Sequence, residues 1–241
     1  ARPALERLLA LGGGVVLATS KTAAEVVPLR AKMGLADWPA IVENGAGVIA
    51  PGAAEDEMAG DYDRLRDALD ALPGELRGPY TGFGDLDAEG VADLTGLPVE
   101  AAAQAKRRLF SEPGRWEGSD ADRDRFIAAL AQIGVQARMG GRFLTLSFGR
   151  TKADAMAEVT AALAPVHTMA LGDAPNDAEM IAAADLGVII PNPHGTPLPP
   201  MQGEAEGRIR RAQLPGPEGW NIAVGQAIDE MGLSQSGARH G

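Results

Sequence analysis

The carboxyl-terminal part of the chain alternates between helical and strand patterns, and this alternation constrains the fold more than any other feature. From residue 151 the sequence predicts a helix, a strand, a helix and a strand, in the segments TKADAMAEVTAALAP, VHTMALG, NDAEMIAAAD and LGVII. The start of the chain shows the same order in ARPALERLLALGGG, VVLAT, TAAEVVPLRAKMG and AIVENG, and Pro28 is expected to kink or divide its helix. Apolar strands that alternate with helices pair in parallel. The sequence therefore predicts an α/β fold built on a parallel sheet.

The middle of the chain breaks this alternation. Its segments are amphipathic and helical, followed by a pattern typical of a hairpin: DYDRLRDALDAL, DAEGVADLTGL, VEAAAQAKRRLF, ADRDRFIAALAQIG and then VQARMGGRFLTLSF. We therefore predict an inserted α+β module over residues 51–148, between the two pieces of one core domain at 1–50 and 149–241. The first helix precedes any strand, whereas a right-handed crossover has a strand on both sides of its helix. The predicted core thus starts one strand late.

Charge and composition exclude several classes of partner. The chain has 33 acidic and 22 basic residues, so its net charge of −11 repels nucleic-acid backbones. The absence of cysteine excludes disulfides and thiolate zinc sites. No apolar run is long enough for a membrane span, and no leader pattern is present, so we expect a soluble, cytoplasmic protein without a membrane partner.

Three polar residues from distant segments are predicted to share one edge of the sheet. Thr19 closes the strand VVLAT, Lys152 starts the helix from 151, and Asp173 follows the strand VHTMALG. Ligands of open parallel sheets bind where the strands end and the next helices begin. A hydroxyl, a cation and a carboxylate at that edge suit a phosphate group and a metal ion.

Each residue type has a chemical reason to be there. Thr19 and Lys152 can neutralise and orient a phosphoryl group, and Asp173 offers a hard oxygen to Mg²⁺. Asn176 and Asp177 can cap the following helix. Taken singly, the same residues have simpler interpretations: a strand-end threonine, a solvated lysine at a helix start, and a Gly-Asp turn with an asparagine cap.

Two short motifs and one histidine do not support other functions. GAGVIA fits a dinucleotide-binding pattern in form, but PG follows where a helix must begin. GRTKAD lacks the spacing of a phosphate loop. His167 lies within the apolar pattern of a predicted strand, so we expect a core histidine, and we identify no catalytic histidine.

These residues resemble the motifs of the haloacid dehalogenase superfamily of phosphatases, which has a Rossmann-like core with a strand-end Thr or Ser, a Lys and a G-D-x-x-N-D motif. Thr19, Lys152 and GDAPND match them in order. More closely, the chain resembles the mannosyl-3-phosphoglycerate phosphatase family in five stretches, TSKT, IVENGAG, GFGDLDAEGVADLTGL, GGRF and PGPEGW. The resemblance implies a Rossmann-like core whose inserted α+β module is a cap over the substrate.

The chain departs from that family in one respect. The family uses a D-x-D-G-T motif, in which the first aspartate attacks phosphorus and the second is the general acid and base, and this motif is absent here. We expect it in a segment upstream of Ala1, which also supplies the strand missing from the predicted core. The 241 residues alone are then expected to be inactive.

The resemblance implies Mg²⁺-dependent hydrolysis of a phosphorylated sugar-glycerate, with Thr19, Lys152 and Asp177 as catalytic residues and Asp173 as the metal ligand. The residues expected to bind substrate are Ser20, Lys21, Glu43, Asn44, Gly45, Gly141, Arg142 and Asn176. Among them, Arg142 has an equally simple interpretation as an exposed hairpin arginine, and Asn44 with Gly45 as a tight turn. Two alternatives remain: a phosphatase for hexose or sucrose phosphate, and a phospho-sugar-binding protein without a nucleophile.

Overall fold

The computed structural model describes residues 1–54, 59–140 and 142–232. Contacts within it divide the chain into two compact units, one formed by Ala1–Val16 with Ala157–Gly241 and the other by Leu17–Met156. The predicted boundaries of core and inserted module, at residues 50 and 149, stay a prediction. Within the described ranges, no helix has the length and apolar character needed to cross a membrane.

The first unit contains a three-stranded parallel sheet in the order β10-β9-β8. Its elements are α1 (Arg2–Ala10), the end of α8 (Lys152–Leu163), β8 (Met169–Gly172), α9 (Ala178–Ala183), β9 (Leu186–Ile189), β10 (Ile209–Arg211) and α10 (Gly216–Glu230). Helices α1 and α10 pack against each other through Ala4, Val224 and Ile228, all of which are buried. The parallel pairing of β8 with β9 confirms the parallel sheet predicted from this part of the sequence.

The second unit contains two sheets. Strands β1 (Leu17–Ala18), β2 (Ala40–Val42) and β3 (Gly47–Ile49) form the first, in which β1 and β2 are parallel and β3 is antiparallel to β2. The second sheet is antiparallel with the order β4-β5-β7-β6. Its strands are β4 (Tyr80–Gly82), β5 (Ser111–Trp116), β6 (Gln136–Met139) and β7 (Leu144–Ser147). The pairing of β6 with β7 confirms the predicted hairpin.

Among its described residues, the second unit has six helices besides the start of α8: α2 (Ala23–Lys32), α3 (Tyr62–Asp70), α4 (Gly74–Arg77), α5 (Ala88–Thr95), α6 (Val99–Lys106) and α7 (Asp120–Gln132). Thr22 caps α2 in a reciprocal capping box with Glu25. Pro28 lies inside α2, which remains one helix, so of the two predicted effects the division is wrong and the kink stays a prediction. A proline removes a single backbone donor, and the buried face of α2 compensates for that loss.

Two sequence predictions place strand ends incorrectly. The strand expected in VHTMALG begins only at Met169, so His167 lies outside it and is exposed rather than in the core. The strand expected in AIVENG ends at Val42, and Glu43–Gly45 form a 3₁₀ turn. In VHTMALG the predicted strand begins before the first residue that finds a pairing partner, and in AIVENG it continues past the last one.

A buried carboxylate joins β5 to the helix α3. Glu112 accepts hydrogen bonds from the hydroxyl of Tyr62 at 2.6 Å, from Nη1 of Arg66 at 2.8 Å and from the amide of Gly84 at 2.8 Å. Arg66 also binds Asp85, at 2.6 Å. Although these partners favour the ionised form, burial dominates and raises the pKa of Glu112 above its ordinary value of 4.5.

This raised pKa predicts how stability depends on pH. The folded state binds the Glu112 proton more tightly than the unfolded chain, so the stability it contributes is complete below about pH 4.5 and is lost as pH rises through the raised pKa. Urea unfolding of the wild type and of Glu112→Gln, at pH values from about 4 to 8, measures this directly. We expect the free energy of unfolding of the wild type, relative to that of the variant, to fall with rising pH. If the wild type instead gained stability relative to the variant as pH rises, this prediction would be contradicted.

Candidate active site

The loop that follows β1 has its backbone orientation set by three hydrogen bonds. In this Thr19 loop (residues 19–21), the carbonyl of Thr19 accepts from the amide of Asn44 at 2.9 Å, and that of Lys21 from the amide of Glu43 at 3.0 Å. The carbonyl of Ser20 accepts from Nη1 of Arg108 at 3.3 Å. Three successive carbonyls are therefore held by donors from elsewhere in the unit.

Two polar groups of this loop remain available to a ligand. The amide of Ser20 lies opposite the Thr19 carbonyl in a trans peptide and makes no hydrogen bond to any residue in the described ranges. The hydroxyl oxygen of Thr19 accepts from the amide of Lys21 at 3.2 Å, which leaves its proton to donate. Lys21 itself forms an exposed ion pair with Glu25, at 2.6 Å.

The turn that binds the Thr19 loop has an unusual backbone. In this ENG turn (residues 43–45), Glu43, Asn44 and Gly45 all have positive φ angles, of 50°, 61° and 98°. Glycine adopts such angles at little cost and asparagine does so more readily than most residues, so it is above all Glu43 that must be held there by other contacts. The sequence did not predict strained backbone at Glu43 and Asn44, because the motif ENG indicates only a tight turn.

The ENG turn also contacts the start of α8. A Cβ atom on Gly45 would lie 2.2 Å from the carbonyl of Thr151 and 2.3 Å from the amide nitrogen of Lys152, so only glycine fits. Thr151 and Asp154 cap this helix reciprocally, at 2.9 and 3.1 Å. Lys152 is the first helical residue and is only 7% exposed. A buried cation at the positive end of a helix favours an anion close by.

Glu43 differs from the prediction that it contacts substrate. Its side chain is fully buried, and its carboxylate accepts from the amides of Leu109, Phe110 and Ser111 at 2.8, 3.1 and 2.8 Å. It also pairs with Arg108, whose Nε lies 3.3 Å from Oε2. These contacts give Glu43 a structural role, which we develop below.

Arg142 lies in the loop of the β6-β7 hairpin and is exposed. Its Nη2 donates to the carbonyl of Thr95 at 2.9 Å, at the end of α5, and its guanidinium lies 5.4 Å from the ring centre of Phe143. Toward the described residues one of its five N–H groups is in use, and its role in substrate binding stays a prediction. Gly141, also predicted to bind substrate, lies outside the described residues.

In the first unit, the predicted metal ligand lies at the carboxyl end of β8. Asp173 is exposed and directly follows the strand, while Asp177 is buried. Oδ2 of Asp177 accepts from the amides of Asp173 and Ala174 at 3.0 and 3.1 Å. The carboxylate of Asp177 therefore folds back to fix the turn that presents Asp173, and makes no side-chain capping bond to α9, contrary to the cap predicted for it. Asn176 is exposed on the same turn.

One residue of this site was missed. Nδ2 of Asn192 donates to Oδ2 of Asp173 at 2.6 Å and so orients its carboxylate. The available signal was its position, because Asn192 follows β9, and β9 ends beside β8 in the same parallel sheet.

The donor set suits Mg²⁺ better than a softer metal. The described residues contain no group of three His, Cys, Asp or Glu side chains that would enclose an ion. Mg²⁺ needs only one or two protein carboxylates because it keeps several waters and binds substrate phosphate. Asp173, with one carboxylate face oriented by Asn192, fits that requirement.

The predicted site residues fall into two groups, one in each unit. Thr19, Asn44, Gly45 and Lys152 belong to one unit, where the ENG turn contacts both the Thr19 loop and the start of α8. Asp173, Asn176 and Asp177 share a turn in the other unit. That the two groups face one ligand stays a prediction.

Solved structures share the fold over nearly the whole chain. A phosphatase of the haloalkanoate dehalogenase (HAD) superfamily from Bacteroides thetaiotaomicron aligns with a TM-score of 0.65 and 16% identity, over 96% of this chain and 87% of its own. A HAD subclass IIB sugar phosphatase aligns with a TM-score of 0.62 and 17% identity, over 97% and 91%. The fold is that of HAD-superfamily phosphatases, which confirms the predicted α/β class with a Rossmann-like core and a cap.

Curated relatives define the family within that fold. Proteins from Methanococcoides burtonii and Persephonella marina, each named glucosyl-3-phosphoglycerate/mannosyl-3-phosphoglycerate phosphatase, are 31% and 30% identical to this chain. The alignments cover 93% and 95% of this chain and 88% and 90% of the relatives. No protein-family model matches it. The chain belongs to the glucosyl-3-phosphoglycerate/mannosyl-3-phosphoglycerate phosphatase family, and its predicted class, phosphoric monoester hydrolase, is confirmed.

Proposed function

We propose that this protein is a Mg²⁺-dependent cytoplasmic phosphatase that hydrolyses mannosyl-3-phosphoglycerate to mannosylglycerate and phosphate, a step in compatible-solute synthesis. The observation that carries the proposal is the ENG turn, which contacts both the Thr19 loop and the backbone of Lys152. The names of the curated relatives support this substrate and add its glucosyl counterpart.

In this proposal the Thr19 loop and Lys152 hold the phosphate. The Thr19 hydroxyl and the Ser20 amide donate to phosphate oxygens, and the Lys152 ammonium neutralises charge that develops as phosphorus is attacked. Burial of Lys152 strengthens that attraction because little water screens it. Lys21, Asn44 and Arg142 are the candidates to bind the sugar and the glycerate carboxylate.

Asp173 holds the metal ion in this proposal, with Asn192 and Asp177 keeping its carboxylate in place. When bound, Mg²⁺ supplies positive charge beside the phosphate oxygens. Asn176 lies on the same turn as Asp173 and is a further candidate for substrate contact.

The proposed nucleophile is an aspartate of a D-x-D segment upstream of Ala1. Its carboxylate oxygen attacks phosphorus, and the bond between phosphorus and the glycerate oxygen breaks while the second aspartate protonates that oxygen. Water then attacks phosphorus while the second aspartate takes up its proton, and the bond between phosphorus and the first aspartate breaks, which releases phosphate and restores that carboxylate. The inserted module would exclude bulk water during these steps.

Phosphate release from a panel of substrates tests the proposal. We expect the protein that includes the upstream segment to hydrolyse mannosyl- and glucosyl-3-phosphoglycerate in preference to hexose phosphates and sucrose phosphate, and the 241 residues alone to release none. Preference for a hexose or sucrose phosphate would support the broader sugar-phosphate phosphatase instead. Binding of these compounds without release, by the extended protein with Mg²⁺ present, would support the binding-protein alternative.

A further inference from the structure

We propose that Glu43 and Arg108 form a positioning pair that sets the orientation of the Thr19 loop for phosphate binding. This inference rests on the proposed function, because it assigns the pair a role in a phosphate site. Neither residue is expected to touch substrate. Their contribution is to fix the geometry of the loop backbone that contacts the phosphate.

The pair holds two of the three loop carbonyls. The amide of Glu43 donates to the carbonyl of Lys21 at 3.0 Å, and Nη1 of Arg108 donates to the carbonyl of Ser20 at 3.3 Å. The third carbonyl, of Thr19, is held by Asn44, whose left-handed backbone adjoins that of Glu43. The pair therefore holds the two peptide planes that follow the Ser20 amide, and the plane of that amide is held by the adjoining Asn44.

The two side chains are held in turn by one buried segment. The carboxylate of Glu43 accepts three amides of residues 109–111 and the hydroxyl of Ser111, at 2.8 Å. Arg108 donates to the carbonyl and hydroxyl of Ser111 at 3.3 and 2.7 Å. The side chains of Arg108 and Glu43 are 5% and 0% exposed. A buried polar group that loses a hydrogen-bond partner costs free energy, so the side chains of this network have one favoured arrangement, in which all the hydrogen bonds are made.

This network also explains the strained turn. Positive φ angles at Glu43 and Asn44 cost about 1 to 3 kcal/mol each, and the four donors on the Glu43 carboxylate offset that cost. Residues 108–111 lead from α6 into β5, within the predicted inserted module. The module thus contributes to the phosphate site through its hold on the Thr19 loop, in addition to any contact with substrate.

Binding of inorganic phosphate, measured by calorimetry with Mg²⁺ present, tests the pair without requiring turnover. We expect Arg108→Lys and Glu43→Gln each to weaken phosphate binding about 10- to 100-fold, as loss of orienting partners does at metal sites. In the protein that includes the upstream segment, kcat should fall by a similar factor.

Matched controls come from another carboxylate–arginine pair of the same unit, whose arginine is partly exposed. Glu112 and Arg66 also join a fully buried carboxylate to an arginine, at 2.8 Å, but they hold α3 rather than the Thr19 loop. Glu112→Gln and Arg66→Lys should leave phosphate affinity within about twofold of the wild type. Unchanged affinity in folded Arg108→Lys or Glu43→Gln would overturn the proposal, as would an equal loss in the controls.

A double-mutant cycle separates positioning from general destabilisation. If Arg108 acts through the Thr19 loop, Arg108→Lys should weaken phosphate binding far less in a Thr19→Val background than in the wild type. Additive effects would contradict positioning. If Thr19→Val alone leaves phosphate affinity unchanged, the proposed phosphate site itself is wrong; if Thr19→Val weakens binding and neither variant of the pair does, only the positioning role is wrong. Should Arg108→Lys not fold, Glu43→Gln carries the same test.

Discussion

Replacing Lys152 by alanine is expected to lower kcat/KM by about 10²- to 10³-fold in a protein that includes the proposed nucleophile segment. Lys152 is buried as the first residue of α8, where its charge opposes the helix dipole; in the proposed mechanism it balances a phosphoryl anion. The loss should fall mainly on kcat, because the charge it neutralises grows in the transition state. Steady-state phosphate release over a range of substrate concentrations measures both parameters.

Lys32→Ala is the control for this variant. Lys32 ends α2 and is exposed, so its removal should change neither kcat nor KM appreciably. Thermal unfolding checks that Lys152→Ala remains folded. Wild-type turnover in a folded Lys152→Ala protein would remove the lysine from the mechanism.

Replacing Asp173 by asparagine is expected to remove the Mg²⁺ dependence of turnover and to lower kcat by about a hundredfold or more, since metal ions supply several kcal/mol of charge stabilisation. The variant keeps the shape of the side chain and its place after β8, but loses the charge that attracts the cation. A titration of activity with Mg²⁺, after removal of metal with a chelator, measures the effect. Calorimetry should show weaker Mg²⁺ binding in parallel.

Asp185 provides a matched control in the same sheet. It is also exposed and accepts from the amide and hydroxyl of Thr168, both at 2.8 Å, but it lies at the opposite ends of β8 and β9. Asp185→Asn should leave the Mg²⁺ response unchanged. A wild-type Mg²⁺ response in Asp173→Asn would show that the metal ligand is elsewhere.

Residues at strand ends were predictable because a parallel sheet places its ligands at one edge. Thr19 and Asp173 were identified by that rule, and Lys152 by its place at a helix start. The same rule applies to Asn192, which follows β9. However, the long segment between β9 and β10 has no strong sequence pattern, so the sequence did not show that Asn192 lies beside Asp173. His167 was misplaced because an apolar run predicts a strand without defining its first paired residue.

Long-range polar contacts were not predictable in the same way. The sequence places Glu43 at a sheet edge, where a carboxylate suggests a ligand. Its true partners, at residues 109–111, are separated from it by 66 to 68 positions, and local pattern carries no information about them. The sequence shows a glutamate in either case, and only the packed structure distinguishes a buried carboxylate from an exposed one.

The left-handed ENG turn has a consequence for the order of folding. Its strain is offset by amides that leave the ribosome some 66 residues after Glu43, so closure of that long loop must come first. We therefore expect the backbone around Thr19 to stay unorganised during synthesis until β5 has emerged and docked. Nascent chains halted before Arg108 should accordingly remain sensitive to protease near residue 20, whereas chains halted well beyond Trp116 should become resistant there.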